Sequence, residues 1–142
     1  MIAETLLSNL NGVRRSGDDC WVARCPAHND RTPSLAIREV DDRVLVHCFT
    51  GCDVTSVLSA VGLELTDLFP PNGYTGIGRK LRRPFPPATV LRCLTGEIAF
   101  LVVCASDMAG GKILAEVDIN RLGLAATRFR AALDAGGLGH VR

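Results

Sequence analysis

The sequence predicts an α+β protein in which a small antiparallel sheet of three strands, with flanking helices, is followed by an all-α helical hairpin. Two observations lead to this prediction. Alternation of apolar and polar residues, which is typical of strands, is confined to the first half of the chain, and apolar residues at helical spacing fill the part after residue 88. The length of 142 residues leaves room for one ordinary domain or two small ones, and excludes a large multi-domain enzyme.

The composition is that of a folded protein with few large side chains for a core. Hydrophobic residues make up 47% of the chain and charged residues 22%, which excludes disordered, collagen-like and coiled-coil proteins. Only five Phe, one Tyr and one Trp are present, so we expect a further stabilising element. The net charge of +1 gives no support for a polyanionic partner, and any basic surface must be local.

The first half, residues 1–71, contains the elements of the predicted sheet. The expected elements are a helix over residues 3–10, strands over residues 20–25, 34–38 and 43–48, and a helix over residues 53–62. Asp41 and Asp42 stand between the last two strands and predict a hairpin turn, because short acidic side chains tolerate turn geometry.

The rest of the chain is predicted to be a linker followed by two helices. Residues 72–87 are rich in Pro and Gly and carry four basic residues with no acid among them, which is typical of a solvated linker. Residues 88–142 contain an apolar seam over residues 91–108 and a narrower one over residues 122–133, which predicts a helical hairpin. The first helix carries surplus apolar surface, so we expect it to pack against another subunit, another protein or the first half. The longest apolar run, residues 98–105, is too short to cross a bilayer, and no membrane partner is expected.

Two short Cys/His motifs are the strongest chemical signal in the sequence. Cys25 and His28 are separated by two residues, and Cys48 and Cys52 by three. A pair at such spacing can wrap one tight turn, and the stretch between the motifs is long enough for a strand, a hairpin and a return strand. Three thiolates and one imidazole would fill all four tetrahedral positions. The motifs therefore predict one structural zinc ion rather than a catalytic metal.

Alternatives to this site remain open at the level of sequence. One alternative is that the cysteines are ordinary buried thiols and bind no metal. The other is that the four residues bind a different metal group, such as an iron–sulfur cluster. Cys20 and His47 are competing ligands, but each lies at an odd offset from its neighbouring cysteine on a predicted strand, which sends the two side chains to opposite faces. Cys20, Cys93 and Cys104 are expected to be reduced thiols.

Further features surround the two motifs. An acid stands two residues after His28, Pro-Ser-Leu opens the second strand, and a Gly-Cys pair leads into a helix. Together, over residues 3–69, these features resemble the N-terminal zinc-binding domain of bacterial and phage DNA primases. The resemblance implies a zinc ribbon whose metal is held by Cys25, His28, Cys48 and Cys52, and which engages single-stranded template DNA.

The same resemblance implies what is missing from this chain. Primases that synthesise primers continue into a catalytic domain that binds divalent metal through a glutamate and an Asp-x-Asp pair, and nothing like it follows residue 71. Phosphoryl transfer needs carboxylates that converge on magnesium, and the later acids all lie in or beside helix-like segments. We expect no catalytic residues, and whether the protein acts within an enzyme stays open.

Contacts to single-stranded DNA are expected from basic side chains on phosphates and from flat side chains that stack on bases. Strand alternation is expected to place Arg24 and Arg38 on the face opposite Val22, Leu35 and Ile37. Each candidate also has an ordinary interpretation, as a solvated arginine, a core aromatic residue or part of a charged linker. The candidates are Arg24, Arg31, Arg38, Trp21, Phe49, Arg79, Lys80, Arg82 and Arg83.

The expected function is that of a primase-like zinc-binding module that binds single-stranded template DNA in replication and primer synthesis, without a catalytic domain of its own. The expected partners are single-stranded DNA, a replication or primase catalytic protein and, through the C-terminal helices, a second copy of the chain. A cytoplasmic location is expected, because the N-terminus lacks the features of a signal peptide. The alternatives are a zinc-scaffolded adaptor that recognises proteins through its helices and a small zinc-containing transcriptional regulator that reads duplex DNA.

Overall fold

The computed structural model of the protein describes residues 2–70 and 83–139. Its four strands form one antiparallel sheet in the order β1-β2-β3-β4, so the predicted α+β class is confirmed. A short 3-10 helix, Leu65–Leu68, follows the second helix. The elements are α1 (Ile2–Ser8), β1 (Arg14–Gly17), β2 (Cys20–Ala23), β3 (Leu35–Val40), β4 (Arg43–Cys48), α2 (Val54–Ser59), α3 (Pro87–Cys93), α4 (Thr95–Ala109) and α5 (Glu116–Ala135).

The sheet has one strand more than the three predicted, because β1 leaves no apolar pattern in the sequence. Three of its four residues are exposed. It forms through backbone pairing with β2, in which Arg14 lies opposite Val22. The turn between these strands uses Asp19 at a positive φ of 51°. An edge strand that buries almost nothing cannot be found from alternation.

The predicted turn at Asp41 and Asp42 is confirmed. Both residues have positive φ angles, of 49° and 57°, and they join Val40 of β3 directly to Arg43 of β4. This is the backbone of a two-residue hairpin turn, in which short polar side chains are preferred. The turn also fixes the register of the pair, with Leu35 opposite Cys48 at the far end.

Both faces of the sheet are buried. On the first face, Leu35 and Ile37 pack with side chains of α1 and α2, such as Leu6 and Leu58. On the second face, a separate cluster joins side chains of the sheet to the C-terminal helices: Val22, Ala36, Phe49, Phe85, Val90, Cys93, Leu94 and Ala132. The helical segment therefore packs on the sheet.

This arrangement corrects the predicted face of Val22. Val22 pairs with Ala36, and Cys20 pairs with Arg38, so Val22 lies on the face of Arg38 and not with Leu35 and Ile37. Alternation distinguishes two faces, but it does not say which face is covered by a distant segment. Here both faces are covered, so an apolar side chain on either one is buried.

From Pro87 onward the described residues form three helices, where a hairpin of two was predicted. The first predicted helix is divided at Leu94, with φ −92° and ψ 0°, and α3 and α4 are inclined by 55°. The apolar seam runs through this break, so nothing in the pattern marks it. The bend lets α3 lie against the sheet while α4 pairs with α5. No single described helix is long and apolar enough to cross a membrane. α3 and α4 reach that length and hydrophobicity only when they are taken together, and they are bent by 55° relative to each other.

A buried ion-pair cluster joins α4 to α5. Glu97 accepts two hydrogen bonds from Arg121, at 2.7 and 2.8 Å, and one from Arg128 at 2.6 Å. Burial raises the pKa of the Glu97 carboxyl, but the hydrogen bonds from both arginines outweigh this and leave it below its ordinary value. Arg121 also lies 4.8 Å from the centre of the Phe100 ring. A charge inside an apolar helix is thus fully paired within the chain.

Candidate metal centre and basic cleft

Sheet topology brings the two Cys/His motifs to one place. Strands β2 and β4 are both antiparallel to β3 between them, so they run in the same direction and end at the same edge. Cys25 follows the end of β2, and Cys48 is the last residue of β4. Gly51 has a φ of +105°, which a residue with a side chain rarely adopts, and this lets the chain turn back so that Cys52 faces Cys48. We call this edge of the sheet the zinc end.

The four candidate ligands form one compact cluster. One ligand atom each from Cys25, His28, Cys48 and Cys52 lies within 4.8 Å of the others. His28 Nδ1 is 3.2 Å from Cys52 Sγ and 3.9 Å from Cys48 Sγ. Tetrahedral zinc, with bonds of about 2.0 to 2.3 Å, requires such separations. Three sulfur donors and one imidazole fit zinc, complete its coordination and leave no open position, so the site is structural.

The surroundings of Cys48 favour the thiolate that a metal requires. A hydrogen bond from Cys25 holds the pKa of the Cys48 thiol well below its ordinary value, and backbone N–H groups of Cys52 and Thr50 and the hydroxyl of Ser34 act in the same direction. Burial opposes them but does not prevail. Hydrogen-bond donors directed at a sulfur atom stabilise the negatively charged thiolate, and the thiolate is the form that binds a metal.

Asp30 organises the loop that carries Cys25 and His28. Its Oδ2 accepts hydrogen bonds from the Cys25 amide at 2.7 Å, from the Ser34 hydroxyl at 2.7 Å and from the Ser34 amide at 3.2 Å. Its Oδ1 lies 3.5 Å from His28 Nε2, the ring nitrogen that faces away from the other ligands. A carboxylate in this position fixes the orientation of a metal-binding imidazole. The acid two residues after His28 was visible in the sequence, but its three backbone and side-chain partners were not.

Replacing Asp30 by Ala is expected to weaken zinc binding 10- to 100-fold, because loss of an outer-shell carboxylate loosens the histidine and the turn. Competition with a chromophoric chelator measures this affinity. Asp18→Ala is the matched control, since the Asp18 side chain is fully exposed at the opposite end of the sheet. Equal zinc affinities for the two variants would contradict the role of Asp30.

The other thiols and His47 stay outside the cluster. Among the described residues, which include all six cysteines, no disulfide is present. Cys20 pairs with Arg38 at the end of β2 remote from the metal. His47 packs its ring against Phe49, with centroids 4.6 Å apart. Burial raises the pKa of Cys93 to about 12, so this thiol stays protonated in its apolar cluster.

Comparison with known proteins agrees with this geometry. Residues 2–61 match the CHC2 zinc finger family. This segment is a primase-type CHC2 zinc finger. Over 50 residues, or 35% of the chain, the sequence is 44% identical to the DNA primase of Treponema pallidum (strain Nichols), and these residues are 8% of that primase. No solved structure matches the chain.

Two of the residues predicted to contact DNA instead make contacts within the protein. Phe49 is only 4% exposed, and its ring lies against Phe85 in the second core cluster, so the prediction that it is an exposed stacking platform is wrong. The guanidinium of Arg38 donates hydrogen bonds to the carbonyls of Arg83 and Pro84, at 3.0 and 2.9 Å. The sequence of the strands does not reveal these contacts, because the segment that covers the second face comes from far along the chain.

The remaining candidates differ in accessibility. Trp21 is half-buried and packs against the first core cluster of the CHC2 finger. Arg24, Arg31 and Arg83 are exposed. The candidates Arg79, Lys80 and Arg82 lie outside the described residues.

Arg24 and Arg31 belong to a larger basic surface. Together with Arg14 and Arg92 they line a cleft of about 470 Å³ beside the CHC2 finger, and the described residues around it include no carboxylate. We call it the basic cleft. The opposite end of the sheet is mainly acidic, since a depression there is lined by Arg38 and by five acids: Asp18, Asp19, Glu39, Asp41 and Asp42. Although the net charge is only +1, the charges of the described residues are therefore unevenly distributed over the sheet.

Proposed function

We propose that the protein binds single-stranded DNA at the zinc end of its sheet, as template for primer synthesis, and presents it to a primase catalytic domain. The observation that carries this proposal is the basic cleft, in which guanidinium groups converge without a described carboxylate. Phosphates are recognised by such groups, and arginine also stacks on bases. The match to primase-type zinc fingers supports the same assignment.

The charge distribution also supports this location for the bound DNA strand. The turns Asp18–Asp19 and Asp41–Asp42 place carboxylates at the end of the sheet remote from the metal. A polyanion is repelled there and attracted at the zinc end. Zinc bound by Cys25 and His28 would fix the segment that carries Arg24 and Arg31.

The double variant Arg24→Ala/Arg31→Ala tests this function. Binding of a labelled oligothymidylate to the zinc-loaded protein is measured between about 50 and 200 mM salt. We expect a large loss of affinity, and a slope of log affinity against log salt that is smaller by about 0.7 for each phosphate contact removed. Arg130→Ala is the control, because Arg130 is exposed on α5 and does not line the cleft.

Two results would contradict the proposal. Equal affinities of the double variant and the control would remove the cleft as the binding site. A clear preference for duplex over single strands would favour the transcriptional regulator instead.

A second candidate function is that of a protein-interaction adaptor acting through the C-terminal helices. Many large apolar side chains of these helices are exposed, and so are not used in packing within the described residues. Such a surface is typical of a protein-interaction site. They include Leu91, Ile98, Val102, Val103, Val117 and Ile119. Failure of the folded, zinc-loaded protein to bind single-stranded DNA would leave this adaptor as the better interpretation.

A further inference from the structure

The basic cleft is not formed by the CHC2 finger alone. Arg14, Val22 and Arg24 contribute to it from β1, β2 and the residue that follows β2. Arg92, in the last turn of α3, and Thr95, the first residue of α4, also line the cleft, one on each side of the α3–α4 bend at Leu94. These two residues lie well beyond residues 2–61, the part that matches the family.

Specific contacts fix this bend against the sheet. The hydroxyls of Ser16 and Thr89 lie 2.9 Å apart, and Thr89 is fully buried. At Gly96 the backbone approaches the finger so closely that an added Cβ would lie 2.7 Å from Thr32 Oγ1. The bend is therefore held by packing, and its side chains keep a defined position relative to Arg24 and Arg31.

Arg92 has donors to spare for an anion. One N–H group of its guanidinium donates to the carbonyl of Arg15 at 3.3 Å. A guanidinium has five N–H donors, so this bond uses only one of them. The side chain is exposed, and α4 begins at Thr95 beside it, so the positive end of that helix adds to the local potential. Four guanidinium groups repel one another in a shared cleft, and a bound phosphate relieves this repulsion.

We propose that Arg92 contacts the backbone phosphates of single-stranded DNA, so that the binding site is built jointly by the zinc finger and the α3–α4 bend. This inference rests on the proposed function and extends it to a residue that the family match does not include. The C-terminal helices then take part in template binding directly.

Arg92→Ala tests the inference in the full zinc-loaded protein with the same labelled oligothymidylate. We expect a loss of affinity of roughly five- to tenfold near 50 mM salt, and a decrease of about 0.7 in the salt slope. Arg92→Lys keeps the charge and is expected to retain the slope, whereas Arg130→Ala is expected to bind like the unaltered protein. Circular dichroism and zinc content establish that each variant is folded.

The outcomes separate this inference from the proposed function. If Arg24→Ala/Arg31→Ala loses affinity while Arg92→Ala binds normally, the function stands and the role of Arg92 is overturned. If Arg92→Lys loses as much of the salt slope as Arg92→Ala, the positive charge at this position does not act on a phosphate, and the inference is overturned. If the unaltered protein shows no salt-dependent binding, the proposed function fails and the inference with it.

Discussion

Removal of zinc by a chelator is expected to unfold the first half of the chain, with loss of the strand signal in circular dichroism and of amide protection in β2, β3 and β4. Structural zinc contributes about 10 to 16 kcal/mol in small finger domains, which is as large as the whole stability of a typical domain. The sheet has four short strands, and each of the two motifs that close its zinc end contributes two of the four clustered ligands. Without the ion, three thiols and an imidazole lose the interaction that keeps the turns together.

Single substitutions provide the control for this expectation. Cys48→Ala removes a ligand and is expected to behave like the chelated protein. Cys104→Ala removes another buried thiol, 4% exposed on α4, and is expected to keep both the zinc and the fold. A metal-free protein that retains protection across the sheet would show that the core alone sustains the fold, and would contradict a structural role for zinc.

Glu97→Gln is expected to lower the free energy of unfolding by about 3 kcal/mol. The substitution removes the charge that pairs Arg121 and Arg128 and leaves two guanidinium groups in a low-dielectric contact between α4 and α5. The Arg128 side chain is only 15% exposed, so water cannot fully replace the lost partner. Urea denaturation measures the difference. Asp107→Asn is the control, since it breaks only the exposed pair with Lys112 and is expected to cost less than about 1 kcal/mol.

The pH dependence of this difference has a defined sign. The pKa of Glu97 is lower in the folded protein than in the unfolded chain, so the stability it contributes is complete above the ordinary carboxyl pKa of about 4.3. That contribution is lost as the pH falls further, through the folded pKa. The gap between the unaltered protein and Glu97→Gln therefore narrows below about pH 4, and equal losses for Glu97→Gln and Asp107→Asn at neutral pH would contradict a buried ion pair.

Short-range patterns predicted the sheet and the metal cluster well. The Cys/His spacings, the β3–β4 turn and the alternation in three strands each involve residues a few positions apart, and local geometry decides them. β1 was missed because its side chains are exposed and only its backbone pairs. The bend at Leu94 was missed because apolar residues continue through it and tertiary packing alone sets its position.

Long-range contacts account for the remaining errors. Phe49 and Arg38 are candidates for DNA contact on sequence alone, because the strands by themselves leave the second face of the sheet open. Phe85 and the carbonyls of Arg83 and Pro84 occupy that face from residues far along the chain. The place of Arg92 in the basic cleft has the same origin, and no sequence motif announces it.

The position of Phe49 couples the metal to the C-terminal helices. It follows the ligand Cys48 directly, yet its ring belongs to the cluster that contains Phe85 and Ala132. If packing of the helices raises zinc affinity by some factor, bound zinc must favour that packing by the same factor, because coupling between two equilibria is reciprocal. A substitution that loosens the packing of the C-terminal helices around Phe49 is therefore expected to lower zinc affinity as well.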